Sequence, residues 1–188
     1  MTPDKDKVNE WVRKAYATAK EHGFHDTDHK DGHWLMLINS EITESMEADR
    51  KGLRSWKTDE LTRLFKISKE DSWFECTFHN LVKDTHEDEL ADIVIRCCDY
   101  LGCKGLTFED AFERPNKFPN GFYETFAEKA WDWVEILTNK EFSVQKNVAA
   151  LIYEVLWYCE ELNIDIEKHV EWKMRYNASR PPKHGKAY

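Results

Sequence analysis

The chain has 188 residues and a formal net charge of −9, which argues against a general role in binding nucleic-acid polymers. Hydrophobic residues make up 41% of it and eight are tryptophan, so the composition excludes a disordered chain and allows one sizeable core. No apolar segment approaches the ~20 residues of a membrane span, and no signal peptide opens the chain. These features predict a cytoplasmic protein with no membrane partner.

Glycine and proline are scarce, at seven and five residues, which favours long helices joined by few turns. Apolar residues recur at helical spacing along most of the chain, and no strand-like alternation of useful length is present. The predicted helices cover residues 4–21, 31–51, 73–101, 122–138, 144–162 and 164–177. A short helix or irregular excursion is expected within residues 53–71. The sequence therefore predicts an all-α fold, a helical bundle with an additional helical insertion.

The insertion is predicted at residues 103–147, within a single domain that spans residues 1–188. Two prolines, two asparagines and a glycine fall within residues 113–122, which predicts a loop. The helix that follows places Phe126, Ala130, Trp133 and Leu137 on one side. Such a stripe is more often core than binding site. We therefore expect the insertion to widen the core or to build an oligomer interface.

The cysteines and histidines give no strong metal signature. The five cysteines are an odd number, and most lie in apolar helical segments, which predicts buried, reduced thiols of a cytosolic protein. A polar segment could bind a transition metal, since it contains His22, His25, His29 and His33 together with Asp26, Asp28 and Asp31. No HExxH motif is present, however. A loop that folds over the mouth of an active site is the preferred interpretation.

Two pairs of carboxylates, each three residues apart, are the most informative feature. Glu41 and Glu44 lie in the segment WLMLINSEITESMEADR (34–50), and Glu89 and Asp92 lie in EDELADIVIRCCDY (87–100). Residues three apart share a helix face, so two packed helices would bring four carboxylates together. Clustered anions repel unless a cation lies among them, and Mg²⁺ prefers oxygen ligands. The two pairs therefore predict a magnesium site.

The two pairs differ in their helical surroundings. At about 100° per residue, Glu41 and Glu44 fall within an apolar stripe. The other members of that stripe are Trp34, Leu37, Ile38, Ser45 and Ala48. A carboxylate that faces the core is costly unless it is paired or bound to metal. Glu89 and Asp92 instead share a polar side with Arg96 and Asp99. An ordinary solvated face is therefore the alternative for the second pair.

The charge is unevenly distributed along the chain. Residues 172–188 contain five lysines or arginines and no acidic residue. An acidic body with a basic tail suits a small anion that is held between a metal ion and cationic side chains. A tail that is merely solvated is the alternative.

These motifs resemble the MazG-like, all-α nucleoside triphosphate pyrophosphohydrolases, whose signature is ExxE on one helix and ExxD on the next. Glu41-Ile-Thr-Glu44 and Glu89-Leu-Ala-Asp92 match that signature. The segment LMLINSEITESMEADRKG (35–52) is similar to the family's N-terminal half, and KMRYNASRPPKHGKAY (173–188) is similar to its C-terminal motif. The resemblance implies hydrolysis of a nucleoside or deoxynucleoside triphosphate to the monophosphate and pyrophosphate, which cleanses or rebalances a nucleotide pool. It also implies a homodimer or homotetramer.

The resemblance implies particular roles for the matching residues. Mg²⁺, with Mn²⁺ as a substitute, would be held by Glu41, Glu44, Glu89 and Asp92. Glu44 and Glu41 would be the catalytic carboxylates, with Glu44 taking a proton from the attacking water. Phosphate would be bound by Lys173, Asn177, Arg180, Lys183 and Lys186. The candidate base-binding residues are Trp34, Asn39 and Asp99.

Some alternatives remain open at this stage. Arg96 could contact phosphate or simply pair with Asp99. A helical homo-oligomer that senses nucleotides without turnover is the main alternative function, and a purely structural helical adaptor is the other. The chain has no Gly-rich P-loop and no GxSxG motif, so kinase-like and hydrolase-elbow functions have no support.

Overall fold

The computed structural model describes residues 4–67, 70–112 and 123–182. Within these residues the regular structure is entirely helical, which confirms the all-α prediction. The helices are α1 (Lys5–Glu21), α2 (Asp31–Arg50), α3 (Thr58–Ile67), α4 (Asp71–Leu81), α5 (His86–Cys103), α6 (Phe108–Ala111), α7 (Phe126–Leu137), α8 (Val144–Glu161) and α9 (Ile166–Ser179). None of the described helices is both long and apolar enough to cross a membrane.

Helix α5 lies at the centre of the bundle, where α1, α2, α8 and α9 pack around it. Its apolar side, which includes Leu90, Ile93 and Val94, is fully buried as expected. Its polar side is also largely covered, because the exposed fractions of Glu89 and Asp99 are only 5% and 3%. A solvated face is therefore the wrong interpretation for the second acidic pair.

Helix α2 packs between α5 and α7 and buries one stripe of residues. The buried members are Trp34, Ile38, Glu41, Ile42, Ser45 and Ala48. The prediction that Glu44 belongs to this stripe is wrong, because Glu44 is exposed. It lies at the edge of the packed face, where α2 borders an open cavity.

The predicted helix over residues 73–101 is broken into α4 and α5. The chain reverses at Asp84, which has φ +62°, and Thr85 then caps α5 by accepting a hydrogen bond from the Asp88 N–H. Helices α3 and α4 form a small satellite core of Leu61, Phe74, Phe78 and Val82, which packs against Trp172 and Tyr176. The sequence signal for the break was the capping threonine followed by acidic residues.

Helix α7 joins the main core rather than standing apart from it. Phe126, Ala130, Trp133 and Leu137 are buried in the same cluster as residues of α2 and α5, as the stripe predicted. The predicted loop at residues 113–122 lies outside the described residues. The middle of the chain therefore widens the core.

All five cysteines are free thiols. Cys97, Cys98 and Cys159 are buried, but Cys76 is exposed, so the prediction of burial is wrong for this residue. Cys76 lies on the side of α4 opposite Phe74 and Phe78, which form the satellite core.

Candidate active site

A cavity of about 270 Å³ lies between α1, α2, α5 and α9. All four carboxylates of the two acidic pairs line it, as do polar residues of α9. Its apolar lining includes Phe24 and Ile95, together with the small side chains of Ala15 and Ala19. The cavity therefore combines a concentrated negative charge with an apolar wall.

Three of the four carboxylates approach one another closely. Glu41, Glu89 and Asp92 each place one oxygen so that the three oxygens lie within 4.8 Å of one another. Glu41 comes from α2 and the other two from α5, two helices that pack side by side. Glu44 lines the same cavity but does not belong to this close group.

The pKa values of Glu41 and Glu89 are raised. Burial, and then the charge of Asp92, raises the pKa of Glu89 to about 9. Burial and the same neighbouring charge raise the pKa of Glu41 to about 7, against the opposing effect of Arg96. When ionised, these two carboxylates are therefore poorly compensated by the surrounding protein.

The donor set fits a hard divalent cation. Within the described residues, the Glu89 carboxylate accepts no hydrogen bond and forms no ion pair, although the residue is only 5% exposed. Carboxylate oxygens are the ligands that Mg²⁺ prefers and that Mn²⁺ also accepts. Glu41, Glu89 and Asp92 could therefore hold such an ion.

Lysine 173 forms ion pairs with two carboxylates of α5. Its Nζ lies 2.6 Å from Asp88 Oδ2 and 2.8 Å from Asp92 Oδ2, and the side chain is buried. Burial alone would lower the pKa of Lys173, but Asp92 and Asp88 outweigh it and raise the pKa. Lys173, an expected phosphate-binding residue, lines the cavity and is paired there with these two carboxylates.

Arginine 96 lines the cavity and pairs with Glu41, a partner that neither sequence-based alternative named. Its Nε donates a hydrogen bond to Glu41 Oε1 at 3.0 Å, and its guanidinium lies 5.9 Å from the Phe24 ring. Glu41 lies within reach because α2 and α5 pack side by side, which the sequence pattern alone did not reveal.

Sequence reasoning missed Asp88. It accepts hydrogen bonds from Lys173 and from the Asp84 N–H, and its Oδ1 is buried without a hydrogen-bond partner. Burial raises its pKa to about 6. Asp88, Asp84 and Glu89 also bring oxygens within 4.8 Å of one another. The available signal was spacing, because Asp88 lies four residues before Asp92 and so on the same helix face.

Two expected phosphate-binding residues, Asn177 and Arg180, line the cavity. The Asn177 Oδ1 is buried without a hydrogen-bond partner, and Arg180 follows the last turn of α9. Lys83 also lines the cavity and pairs with Asp84; it was missed because the break before α5 was missed. Lys183 and Lys186 lie outside the described residues.

The expected base-binding residues divide into two groups. Asp99 lines the cavity and lies 2.7 Å from His25 Nε2. Trp34 does not line it, because this side chain is 4% exposed and packs in the core, stacked on His25 at 5.1 Å. Asn39 does not line it either and is half-buried elsewhere on α2.

The histidine-rich segment contributes to this cavity through contacts other than metal binding. Both candidate metal-holding groups of the described residues consist of carboxylates alone. His22 Nε2 lies 2.9 Å from the Arg180 carbonyl oxygen, and Phe24 lines the cavity. This agrees with a segment at the mouth of a site.

No protein-family model, no curated protein and no solved structure matches this chain. The similarity to the MazG-like family therefore rests on the motifs in the sequence.

Proposed function

We propose that the protein is a magnesium-dependent nucleoside triphosphate pyrophosphohydrolase, which converts a nucleoside or deoxynucleoside triphosphate to the monophosphate and pyrophosphate. The observation that carries the proposal is the group of three carboxylate oxygens within 4.8 Å of one another, at a cavity that cationic and amide side chains also line. The ExxE and ExxD motifs support the same assignment.

Glu41, Glu89 and Asp92 would hold the Mg²⁺, or Mn²⁺ in its place. The ion would neutralise phosphate charge and acidify a bound water. Arg96 keeps Glu41 in position through its 3.0 Å hydrogen bond, and Lys173 does the same for Asp92. These two cations fix the carboxylates before the substrate arrives, which lowers the cost of reorganising them.

In the proposed reaction a water oxygen attacks the α-phosphorus. The bond from that phosphorus to the oxygen that bridges the α- and β-phosphates breaks, and pyrophosphate leaves with the electron pair. Glu44 accepts the proton of the attacking water. This role suits Glu44 because it faces the cavity and solvent and stands outside the close group of three carboxylates.

The departing pyrophosphate gains negative charge as the bond breaks, so nearby donors stabilise the transition state. Arg180, Asn177 and Lys83 line the cavity and would serve this purpose. Lys183 and Lys186 are proposed to assist from the C-terminal segment. Lys173 is engaged with Asp88 and Asp92, so it would act mainly through these carboxylates.

We also propose that the chain works in the cytoplasm as a homodimer or homotetramer. Met36 on α2 and Trp131 on α7 are 65% and 61% exposed, on two helices that pack together, and exposed apolar patches mark protein–protein interfaces. Size-exclusion chromatography with light scattering tests this. A monomer at micromolar concentration would contradict it.

The function is tested by incubating the protein with Mg²⁺ and a panel of nucleoside and deoxynucleoside triphosphates and then resolving the products. Monophosphate with pyrophosphate is expected, and EDTA is expected to abolish the reaction. Diphosphate with inorganic phosphate would refute the proposed chemistry, and tight binding without product would favour the nucleotide-sensing alternative.

A pair of variants assigns the proton acceptor. Glu44→Gln is expected to lower kcat at least about 100-fold, since general-base catalysis contributes on that order. Glu47→Gln is the matched control, because Glu47 lies on the same helix, pairs with Arg50 and Lys51 and does not line the cavity. Unchanged turnover in Glu44→Gln would remove Glu44 from the mechanism.

A further inference from the structure

Helix α5 links the acidic group to a second polar feature of the same cavity. Asp92 and Asp99 both line the cavity, and they are seven residues apart, so they lie on the same face of α5. Seven residues of α-helix span about 10 Å along the axis. This distance is on the scale of a ribose with its base, so a triphosphate with its α-phosphorus beside Asp92 could reach Asp99 with its base.

The space beside Asp99 is bounded by α1, which runs antiparallel to α5. Three contacts show this direction, because the residue numbers rise on one side as they fall on the other. Asn9 Oδ1 accepts a hydrogen bond from the Phe108 N–H, Tyr16 contacts Gly102, and Phe24 lies beside Arg96. The cavity residues of α1 are Ala15, Thr18 and Ala19. Their small side chains leave room for a flat ring, and Phe24 and Ile95 provide an apolar wall.

The orientation of Asp99 is fixed by a buried histidine. His25 Nε2 donates to Asp99 Oδ1 at 2.7 Å, and the two side chains are 8% and 4% exposed. The imidazole is itself held between Trp34, stacked at 5.1 Å, and Tyr16, edge-on at 4.8 Å. Within the described residues, the Asp99 carboxylate has no other hydrogen-bond partner. One of its oxygens is therefore left to accept a bond from a ligand in the cavity.

We propose that Asp99, held in place by His25, forms the base-reading end of the cavity and selects triphosphates whose base carries an amino group at C4 of a pyrimidine or C6 of a purine. This inference rests on the proposed function. A carboxylate oxygen is only an acceptor, so it pairs with the amino N–H at C4 of cytosine or C6 of adenine, whereas the carbonyl oxygen at the same position of uracil or hypoxanthine would repel it. A site that leaves such polar groups unpaired discriminates strongly.

The test measures binding as well as turnover. Dissociation constants are measured in Mg²⁺ on the Glu44→Gln background with two matched pairs, dCTP against dUTP and dATP against dITP. Each pair differs at the amino or carbonyl position that Asp99 would contact. At least about tenfold tighter binding of the amino-bearing member is expected, with the same preference in wild-type kcat/KM.

Substitutions at the two residues then assign their roles. Asp99→Asn gives the site a donor, and the preference within each pair is expected to collapse or reverse. His25→Gln keeps an N–H donor for Asp99 and should retain the preference, whereas His25→Ala should lose it. Asp26→Asn in the same segment is the control, because it changes the charge at an exposed position. It should show the same preference within each pair as the Glu44→Gln background.

The outcomes separate this inference from the proposed function. Pyrophosphate release with equal affinities within each pair, or with a preference that Asp99→Asn leaves intact, would overturn the base-reading role alone. A wild-type protein that neither binds nor hydrolyses any triphosphate would overturn the proposed function and this inference with it.

Discussion

Replacing Glu89 by glutamine is expected to stabilise the metal-free protein and to abolish its response to Mg²⁺. Glu89 is 5% exposed, and within the described residues its carboxylate has no ion-pair or hydrogen-bond partner. Glutamine keeps the shape of the side chain and is always neutral, so the folded protein no longer has to take up a proton at this position. The same change removes a metal ligand, so stability and function should move in opposite directions.

The size of the effect follows from the pKa. Glu89 titrates at 4.5 when unperturbed and at about 9 in the folded protein, chiefly because of burial. The folded state therefore retains a proton that the unfolded chain releases, so stability is full below pH 4.5 and is lost as the pH rises towards 9. At pH 7 the full shift corresponds to about 3 kcal/mol. We take roughly half, since water in the open cavity screens the charge.

Urea unfolding at pH 7 in EDTA measures this difference. Glu89→Gln is expected to be more stable than the wild type by about 1–2 kcal/mol, or about 4 °C in Tm. Added Mg²⁺ should stabilise the wild type and leave the variant unchanged. Glu87→Gln is the control, because Glu87 does not line the cavity and glutamine can still accept the hydrogen bond from the Ser55 N–H.

Two results would refute this reasoning. One is a Glu89→Gln protein that is less stable than the wild type in EDTA, which would mean that the carboxylate is satisfied in the native state. The other is a wild type whose stability does not depend on Mg²⁺ at millimolar concentration, which would separate the carboxylate group from metal binding.

Three further substitutions test the packing around the site. Lys173→Met should destabilise the protein by about 3 kcal/mol in urea unfolding at pH 7, because it leaves buried carboxylates unpaired; a neutral effect would contradict the ion pairing. Burial lowers the pKa of His169 from 6.5 to about 4, so its contribution to stability is full above pH 6.5 and is lost as the pH falls towards 4. His169→Gln should reduce the loss of stability between pH 6.5 and pH 4 by up to about 3 kcal/mol. Parallel curves of unfolding free energy against pH for the variant and the wild type would contradict this role of His169. Gly102→Ala would place a Cβ 2.5 Å from that of Tyr16 and should cost about 1–3 kcal/mol, whereas Gly32→Ala, with open space around it, should not; equal Tm values would refute the close contact.

Helical periodicity was sufficient to predict most of the fold. The apolar spacing of Val8, Trp11, Val12 and Ala15 predicted α1, and these residues are buried. The break at Asp84 was missed because residues 83–89 contain neither glycine nor proline to mark the turn, although Asp84 itself has φ +62°. That one turn brings Lys83 and Asp84 to the cavity, so a local error removed two cavity residues from the prediction.

The site was predicted less completely than the fold for a different reason. A helical wheel orders the residues of one helix but does not say which neighbours cover each side. Glu89 was assigned to a polar side, and only the packing of α9 and α2 against α5 buries that side. The pairing of Lys173 with Asp88 joins residues 85 positions apart, which no local pattern can reveal. Trp34 was misplaced because an aromatic residue in the core and one at a ligand site have the same spacing.

The charge balance of the site explains why these features belong together. The close group of Glu41, Glu89 and Asp92, taken with Asp88, comprises four buried or half-buried carboxylates, and two buried or half-buried cations, Arg96 and Lys173, pair with its members. When all are ionised, two negative charges remain, which one divalent cation would balance. Burial, and then repulsion by the charge of Asp92, raises the pKa values of Glu89 and Glu41, and without that cation the group can lower its charge only by holding protons. Mg²⁺ binding should therefore release protons from the carboxylates. Isothermal titration calorimetry at pH 7 in buffers of different ionisation enthalpy measures this release. A binding enthalpy that is the same in all buffers would contradict this charge balance.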